Sequence, residues 1–277
     1  MERLLFFPYS ISMERTENGG KKMESILEAK GVNKVFGSKR NFFTALKDID
    51  IHISKGEFVG VMGPSGAGKS SLLNVLSSIE PVTSGTIRIE GTELTRMKED
   101  QLREFRRDKM GFIFQDYNLL DTLTVAENMM LPLTFTKTPK HEIKKKVAEL
   151  AEMFGIQAIL DKYPYEISGG QQQRTAVCRA IIGRPSILFA DEPTGALDSK
   201  SAHHLLQTLS KLNDEMKATI LMVTHDPYAA SFCSRVLFIK DGSLYTEIHK
   251  GDHSRKQLFQ QILNILSTIG GGQYDVI

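Results

Sequence analysis

The stretch "FVGVMGPSGAGKSSLLNVLSSI", residues 58–79, limits the fold more than any other part of the chain. Its first five residues read as a buried strand, the residues from Ser70 onward have helical spacing, and GxxxxGKS stands between them. That succession is a phosphate loop. The loop consists of Gly63, Pro64, Ser65, Gly66, Ala67, Gly68, Lys69, Ser70 and Ser71. Its glycines let the backbone turn inward, so that its N–H groups and the following helix N-terminus hold phosphates. Lys69 is placed to neutralise the β- and γ-phosphates, and Ser70 to ligate Mg2+. A nucleoside triphosphate is the expected ligand.

Other elements fall into order around this unit. Alternation over residues 45–53 predicts a half-buried strand ahead of the loop. From about residue 95 to 182 the pattern is mostly helical, interrupted by a short strand, "MGFIFQ", at 110–115. The clearest helix begins at Pro139, carries Ile143, Val147, Leu150 and Phe154 on one face, and stops at Gly155. Parallel-sheet character returns at "SILFAD" (186–191) and "ATILMVTH" (218–225), and "VLFIKDGSLYTEI" (236–248) reads as a hairpin turning at Asp241-Gly242. The expected class is α/β: a P-loop NTPase core with a helical insertion and an antiparallel β portion. Residues 23–248 form that domain. Residues 1–22 are read as a disordered extension or an over-long start, because strand-like alternation begins only after Met23. Residues 249–277 form a tail with an amphipathic helix from Ser254 to Ile269, apolar at Leu258, Ile262, Ile265 and Ile269, with a Ser254–Gln257 capping box and a stop at Gly270 to Gly272.

In open α/β sheets ligands sit beyond the carboxyl ends of strands, so acids ending the "ILFADE" strand arrive beside the phosphates. Successive strand residues point to opposite sides, which divides the work: Asp191 toward magnesium, Glu192 toward an attacking water as general base. His225 ends "LMVTH" in the same way and is either structural or a contact to the γ-phosphate. Gln115, following "GFIF", offers a neutral amide to metal and water. Phe36 is either core or a platform for an adenine ring.

Bulk composition narrows the rest. With 35 basic against 33 acidic residues the net charge of +2 gives no field that argues for nucleic acid or a membrane surface. Two cysteines, Cys178 and Cys233, have neither disulfide-framework nor zinc spacing and fit a reducing, cytoplasmic setting. The longest apolar runs fall far short of the roughly 20 residues that span a bilayer.

A second Ser-Gly-Gly element, "YEISGGQQQRTAVCRA" (165–180), opens onto another helix, although one nucleotide needs only one cradle. The phosphate loop, Gln115, "ISGGQ", "ILFADE", "TGALD" and His225, in this order and spacing, resemble the ATP-binding cassette ATPases. The resemblance runs from about residue 26 to 248. It implies that ATP is the nucleotide, that Gln115 couples it to a membrane subunit, and that Ser168, Gly169, Gly170 and Gln171 are the signature. The signature would cap the γ-phosphate of ATP seated on another chain's Lys69, in a head-to-tail homodimer whose interface loop carries Ala196, Leu197 and Asp198. Ile167 replaces the more usual Leu of the signature, and Phe36 the more usual Tyr at the adenine-stacking position.

"TGALD" with "SGGQQQR" resembles the branch serving macrolide, lipoprotein-release and cell-division systems. Residues 111–133, "ADEPTGALDSKSA" and "VTHDPYAAS" are most similar to its antimicrobial-peptide resistance members. That resemblance implies a large permease with an extracellular domain, a histidine kinase in many cases, and a place on the cytoplasmic face of a bacterial membrane. Competing readings are a soluble cassette ATPase and a small-molecule kinase. The first usually has paired cassettes, zinc-binding cysteines or long coiled coils, and the second leaves the signature unexplained. The expected function is the ATPase subunit of a peptide-resistance transporter, with lipoprotein release, macrolide export or cell division as alternatives.

Overall fold

The computed structural model describes residues 24–38 and 41–269. The expected extension over 1–22 and the glycine stop at 270–272 lie outside these residues.

Two sheets frame the molecule. In the first, β1 (Ser25–Ser38) pairs antiparallel with β2 (Asn41–Ser54) and β4 (Ser84–Ile89), and β5 (Thr92–Glu93) completes the order β2-β1-β4-β5. The second has the order β10-β9-β3-β8-β7-β6. Its parallel strands are β3 (Phe58–Met62), β6 (Met110–Ile113), β7 (Ile187–Asp191), β8 (Ile220–Val223) and β9 (Arg235–Lys240), with β10 (Ser243–His249) antiparallel at the edge. The β9–β10 turn has Asp241 at φ 50° and Gly242 at φ 79°, the left-handed pair of a two-residue hairpin.

Alternation along these strands splits the core in two. Phe58, Met62, Leu188, Ala190, Ile220, Met222, Val236 and Phe238 face the helices. Val59, Val61, Ile187, Phe189, Leu221, Val223, Leu237 and Ile239 face the antiparallel sheet and α1 (Lys69–Leu76). Both faces of the parallel sheet are covered, which is why its strands are continuously apolar.

The helical stretch begins with α2 (Glu99–Lys109) and continues past β6 with α3 (Val125–Thr134), α4 (Lys140–Phe154) and α5 (Gly169–Ile181), the last three packed on one another. Buried Asn128 holds the loop before α3: its amide donates to the carbonyls of Leu120, Leu123 and Thr124, and its Oδ1 accepts Leu120 N–H at 2.8 Å. Pro139 stands at the N-cap of α4 rather than inside it. After β7 come α6 (Ser199–Met216), the short α7 (Pro227–Ala230) and α8 (Arg255–Ile269).

Helix α8 starts on the expected Ser254–Gln257 box, with Ser254 N–H donating to Gln257 Oε1 at 2.8 Å. Its buried stripe is Leu258, Ile262, Leu266 and Ile269. Leu266 takes the central position that the sequence pattern gives to Ile265, which is only partly buried, because 3.6-residue periodicity admits either neighbour. No helix among the described residues is long and apolar enough to cross a membrane. Because α8 shares the helix-side core, Ile262→Ala is expected to lower the unfolding free energy by about 2–4 kcal/mol. A urea midpoint that falls with unchanged slope supports this, and an unmoved midpoint would mean that α8 lies outside the cooperative unit.

Candidate active site

Parallel register gathers the predicted chemistry at one sheet edge. Val61 pairs with Val223, Asp191 also pairs with Val223, and Ile113 pairs with Ala190. The segments leaving β3, β8, β7 and β6 therefore emerge together, carrying Lys69, His225, Glu192 and Gln115.

The phosphate loop closes on its own framework. Gly63 sits at φ 157°, and a Cβ there would stand 2.1 Å from the Ile239 carbonyl of β9, so only glycine lets the loop leave the sheet this closely. Gly68 caps α1 in a left-handed conformation. Lys69 Nζ folds over the loop and donates to the carbonyls of Gly63 at 2.9 Å and Pro64 at 3.0 Å. Burial pulls the Lys69 ammonium below its ordinary range, and the charges of Glu192 and Asp191 oppose that shift. Ser70 and Ser65 are exposed along the loop.

Asp191 ends β7 with its Oδ1 buried and without a hydrogen-bond partner. Burial raises its carboxyl above the usual carboxylate range; Glu192 adds to this and Lys69 works against it. An unpartnered buried carboxylate oxygen, with the Ser70 hydroxyl at the start of α1, is a donor set suited to a hard divalent cation such as Mg2+.

Glu192 leaves the strand at φ 43°, a left-handed conformation costing a non-glycine residue roughly 1 kcal/mol or more. Its N–H donates to Val223 O at 2.9 Å, and its Oε2 meets His225 Nδ1 at 2.8 Å. Strand alternation therefore does not set Glu192's direction, as the sequence reading supposed. The backbone turn does, and it aims the carboxylate at the histidine. Gln115 lies two residues beyond β6, and its Nε2 stands 3.1 Å from where a Cβ on Gly195 would be.

The second cradle is built from α5. Ser168 is its N-cap, accepting Gln171 N–H at 3.4 Å while its own N–H donates to Gln171 Oε1 at 2.9 Å. Asp198 caps α6, accepting Lys200 and Ser201 N–H at 3.0 Å and the Ser201 hydroxyl at 2.7 Å. The Ser201 hydroxyl bond above all holds the Asp198 carboxyl below its ordinary range. Leu197 is half-buried and Ala196 exposed. Phe36 is half-buried on β1, opposite Phe43, with Lys34 Nζ 4.6 Å from its ring centroid.

Sequence reasoning missed three residues that hold these parts together. The Tyr117 hydroxyl donates to Ala196 O at 3.4 Å and lies 2.9 Å from where a Cβ on Gly169 would stand. Arg179 of α5 donates to the carbonyls of Tyr117, at 2.8 Å, and Asn118. Buried Gln173 donates to Pro193 O at 2.8 Å, joining α5 to the segment after Glu192. The available signal was the place of Tyr117 within "QDYN" and of Gln173 within "SGGQQQR"; Arg179, farther along α5, had no such signal.

The family profile described as "ABC transporter" matches residues 46–195. The chain is 57% identical over 251 residues to the bacitracin export ATP-binding protein BceA of Halalkalibacterium halodurans, covering 91% of this chain and 99% of that protein. The chain belongs to the ABC transporter family. This cassette is also 48% identical to the ABC transporter ATP-binding protein YxdL of Bacillus subtilis, over 92% of this chain and 98% of the relative. To the macrolide export ATP-binding/permease protein of Aggregatibacter actinomycetemcomitans it is 41% identical, matching 82% of this chain but 35% of that longer protein. A dimeric ATP-binding cassette in a post-hydrolysis state bound to ADP and Pi superposes with a TM-score of 0.75 at 38% identity, over 81% of this chain and 98% of that one. The cassette is an ATP-binding ATPase with the P-loop NTPase fold.

The raised Asp191 carboxyl has a consequence for stability. Its folded state keeps the proton to higher pH than the unfolded chain, so Asp191 costs stability as pH rises from the ordinary carboxylate range through its raised value, and the cost persists above it. Without nucleotide or metal, Asp191→Asn is expected to melt about 1–2 °C above the parent at neutral pH, a small gain because the group is partly exposed. The difference should vanish below about pH 4. A gain that is equal at both pH values would rule out ionisation as its cause.

Proposed function

We propose that the cassette works as a head-to-tail homodimer binding two ATP molecules at composite sites, and that it energises a membrane permease with a large extracellular domain. The cargo under this reading is a cell-wall-directed peptide such as bacitracin, removed from its lipid-linked target, with the cassette held at the cytoplasmic face by its permease. A sensor histidine kinase is a further partner. The observation that supports the peptide reading is 57% identity, over nearly the full length of both chains, to a bacitracin export ATP-binding protein. Macrolide export is the second reading, supported by the 41% identity to a macrolide exporter's ATP-binding region.

Within each site the chain's own residues divide the work. Lys69 exchanges the loop carbonyls it now holds for phosphate oxygens. Asp191, Ser70 and Gln115 would hold Mg2+, which when bound would offset charge on the β- and γ-phosphates. Glu192 takes the proton of the attacking water, and His225 fixes its carboxylate through Oε2 while itself reaching toward the γ-phosphate. Phe36 stacks the adenine. Ser168, Gly169 and Gly170 offer a hydroxyl and helix N-terminal N–H groups to the γ-phosphate on the partner protomer, and Ala196, Leu197 and Asp198 line the interface between them. Two incomplete sites become two complete ones. ATP then favours the closed dimer and hydrolysis releases it, because ligand binding shifts the population toward the state that binds it best.

Glu192→Gln is expected to bind ATP, lose about 10²–10⁴-fold in hydrolysis and accumulate as a dimer on size exclusion. In a deletion strain challenged with cell-wall-directed peptides, wild type should restore resistance and Glu192→Gln should not. Unchanged sensitivity across the panel would move the cargo toward macrolides, lipoproteins or a cell-division role. Ser168→Arg should leave monomer ATP affinity within about threefold, since a surface change away from the phosphate loop costs little. It should also abolish the ATP-induced dimer, whereas normal dimerisation would refute the shared site.

A further inference from the structure

On the side of the molecule built by α6, α7 and α8 lies a cleft of about 820 Å³ that the nucleotide chemistry does not use. Four cations line it: Lys211 of α6, Lys250 just after β10, and Arg255 and Lys256 of the first turn of α8. None of the four forms an ion pair among the described residues, although lysines and arginines elsewhere pair repeatedly. No carboxylate lines the cleft; Asp214, which accepts the Ser210 hydroxyl at 3.3 Å, stays outside it.

Its floor is aromatic. Phe232 and Tyr228 pack edge to face at 5.5 Å, and Phe259 completes the apolar surface. The Arg255 guanidinium stands 4.5 Å from the Phe232 centroid and 5.5 Å from that of Tyr228, so one cation is already held against the floor with its donors available at the rim. Clefts of roughly 300–1,000 Å³ with an apolar floor and a few convergent polar groups are the usual form of a binding site. Against a net charge of only +2 for the whole chain, four cations in one cleft represent a local concentration of positive charge, not a property of the whole surface.

We propose that this cleft docks an acidic, amphipathic peptide segment of a partner protein, with its carboxylates on Lys250, Arg255 and Lys256 and an apolar side chain on the Phe232–Phe259 floor. A compact phosphoanion would use the cations but leave the aromatic floor idle; a peptide uses both. Tyr228 also lines a neighbouring cavity of about 510 Å³ shared with His225, Thr194 and Leu197, and its hydroxyl pairs with His203 Nδ1 at 2.5 Å. An occupant of the cleft therefore touches a ring, that of Tyr228, which also lines the cavity containing His225.

The test uses the full purified chain and a fluorescein-labelled peptide of alternating glutamate and leucine, followed by anisotropy, with a glutamine–leucine peptide and inorganic triphosphate as comparisons. The glutamate peptide should bind, weaken with added salt, and lose about tenfold or more in affinity in the Lys250→Ala/Lys256→Ala double variant. Phe259→Ala should weaken it as well. Equal binding of the glutamine–leucine peptide, an unaffected double variant, or displacement by triphosphate with no contribution from Phe259 would each overturn the proposal, the last in favour of a phosphoanion site. Basal ATP hydrolysis of the double variant, measured in parallel, should equal that of wild type. Its retention shows that the chain is folded and keeps the outcome separate from that of the transporter reading.

Discussion

The parallel pairing of β3, β8, β7 and β6 is the constraint on which the rest depends. Parallel strands share a direction, so their carboxyl ends lie on one edge, and each contributes a functional segment immediately beyond that end. The pairing is possible only because both faces of the sheet are covered, by helices on one side and by α1 with the antiparallel sheet on the other. A slip of one residue in β7 would exchange the two core faces and turn Asp191 away from the loop. Core packing and site geometry are thus a single requirement.

Electrostatics at that edge are arranged around unsatisfied groups. Lys69 is partly withdrawn from water and leans on backbone carbonyls, while Asp191 is half-buried with its Oδ1 buried and left unpartnered. Burial moves the two in the directions that disfavour charge, and each restrains the other's shift. On the proposed function, such a pair would gain most when phosphate and cation arrive together, since each then finds the opposite charge it lacks. Glu192 is held by its left-handed turn and by the His225 contact to its Oε2.

Helix α5 joins the Ser-Gly-Gly element mechanically to the segments at the sheet's carboxyl edge. Its N-terminus carries the Ser-Gly-Gly element, Gln173 ties its first turns to the segment after Glu192, and Arg179 holds the loop that follows Gln115. Tyr117 spans from that loop to Ala196 and rests against Gly169. Movement of α5 therefore reaches the segment after Gln115, the one after Glu192 and the start of α6 through short contacts, not through a long chain of intermediates.

Much of this was legible in the sequence because it is local. The strand–loop–helix around Lys69, the Asp241-Gly242 turn, the Ser254–Gln257 cap and the apolar runs of β7 and β8 are each decided by neighbours within a few residues, where propensity and hydrogen-bonding geometry act. The antiparallel partners β1 and β4 were less legible, as β1 carries several register shifts that break simple alternation. What tertiary structure alone decided is distant pairing: which strands lie side by side, that Glu192 turns to His225, that Leu266 and not Ile265 faces the core, and that Tyr117, Gln173 and Arg179 brace α5. Those choices rest on contacts between residues far apart in the chain, whose closure depends on the whole packed core, and no window of sequence contains them.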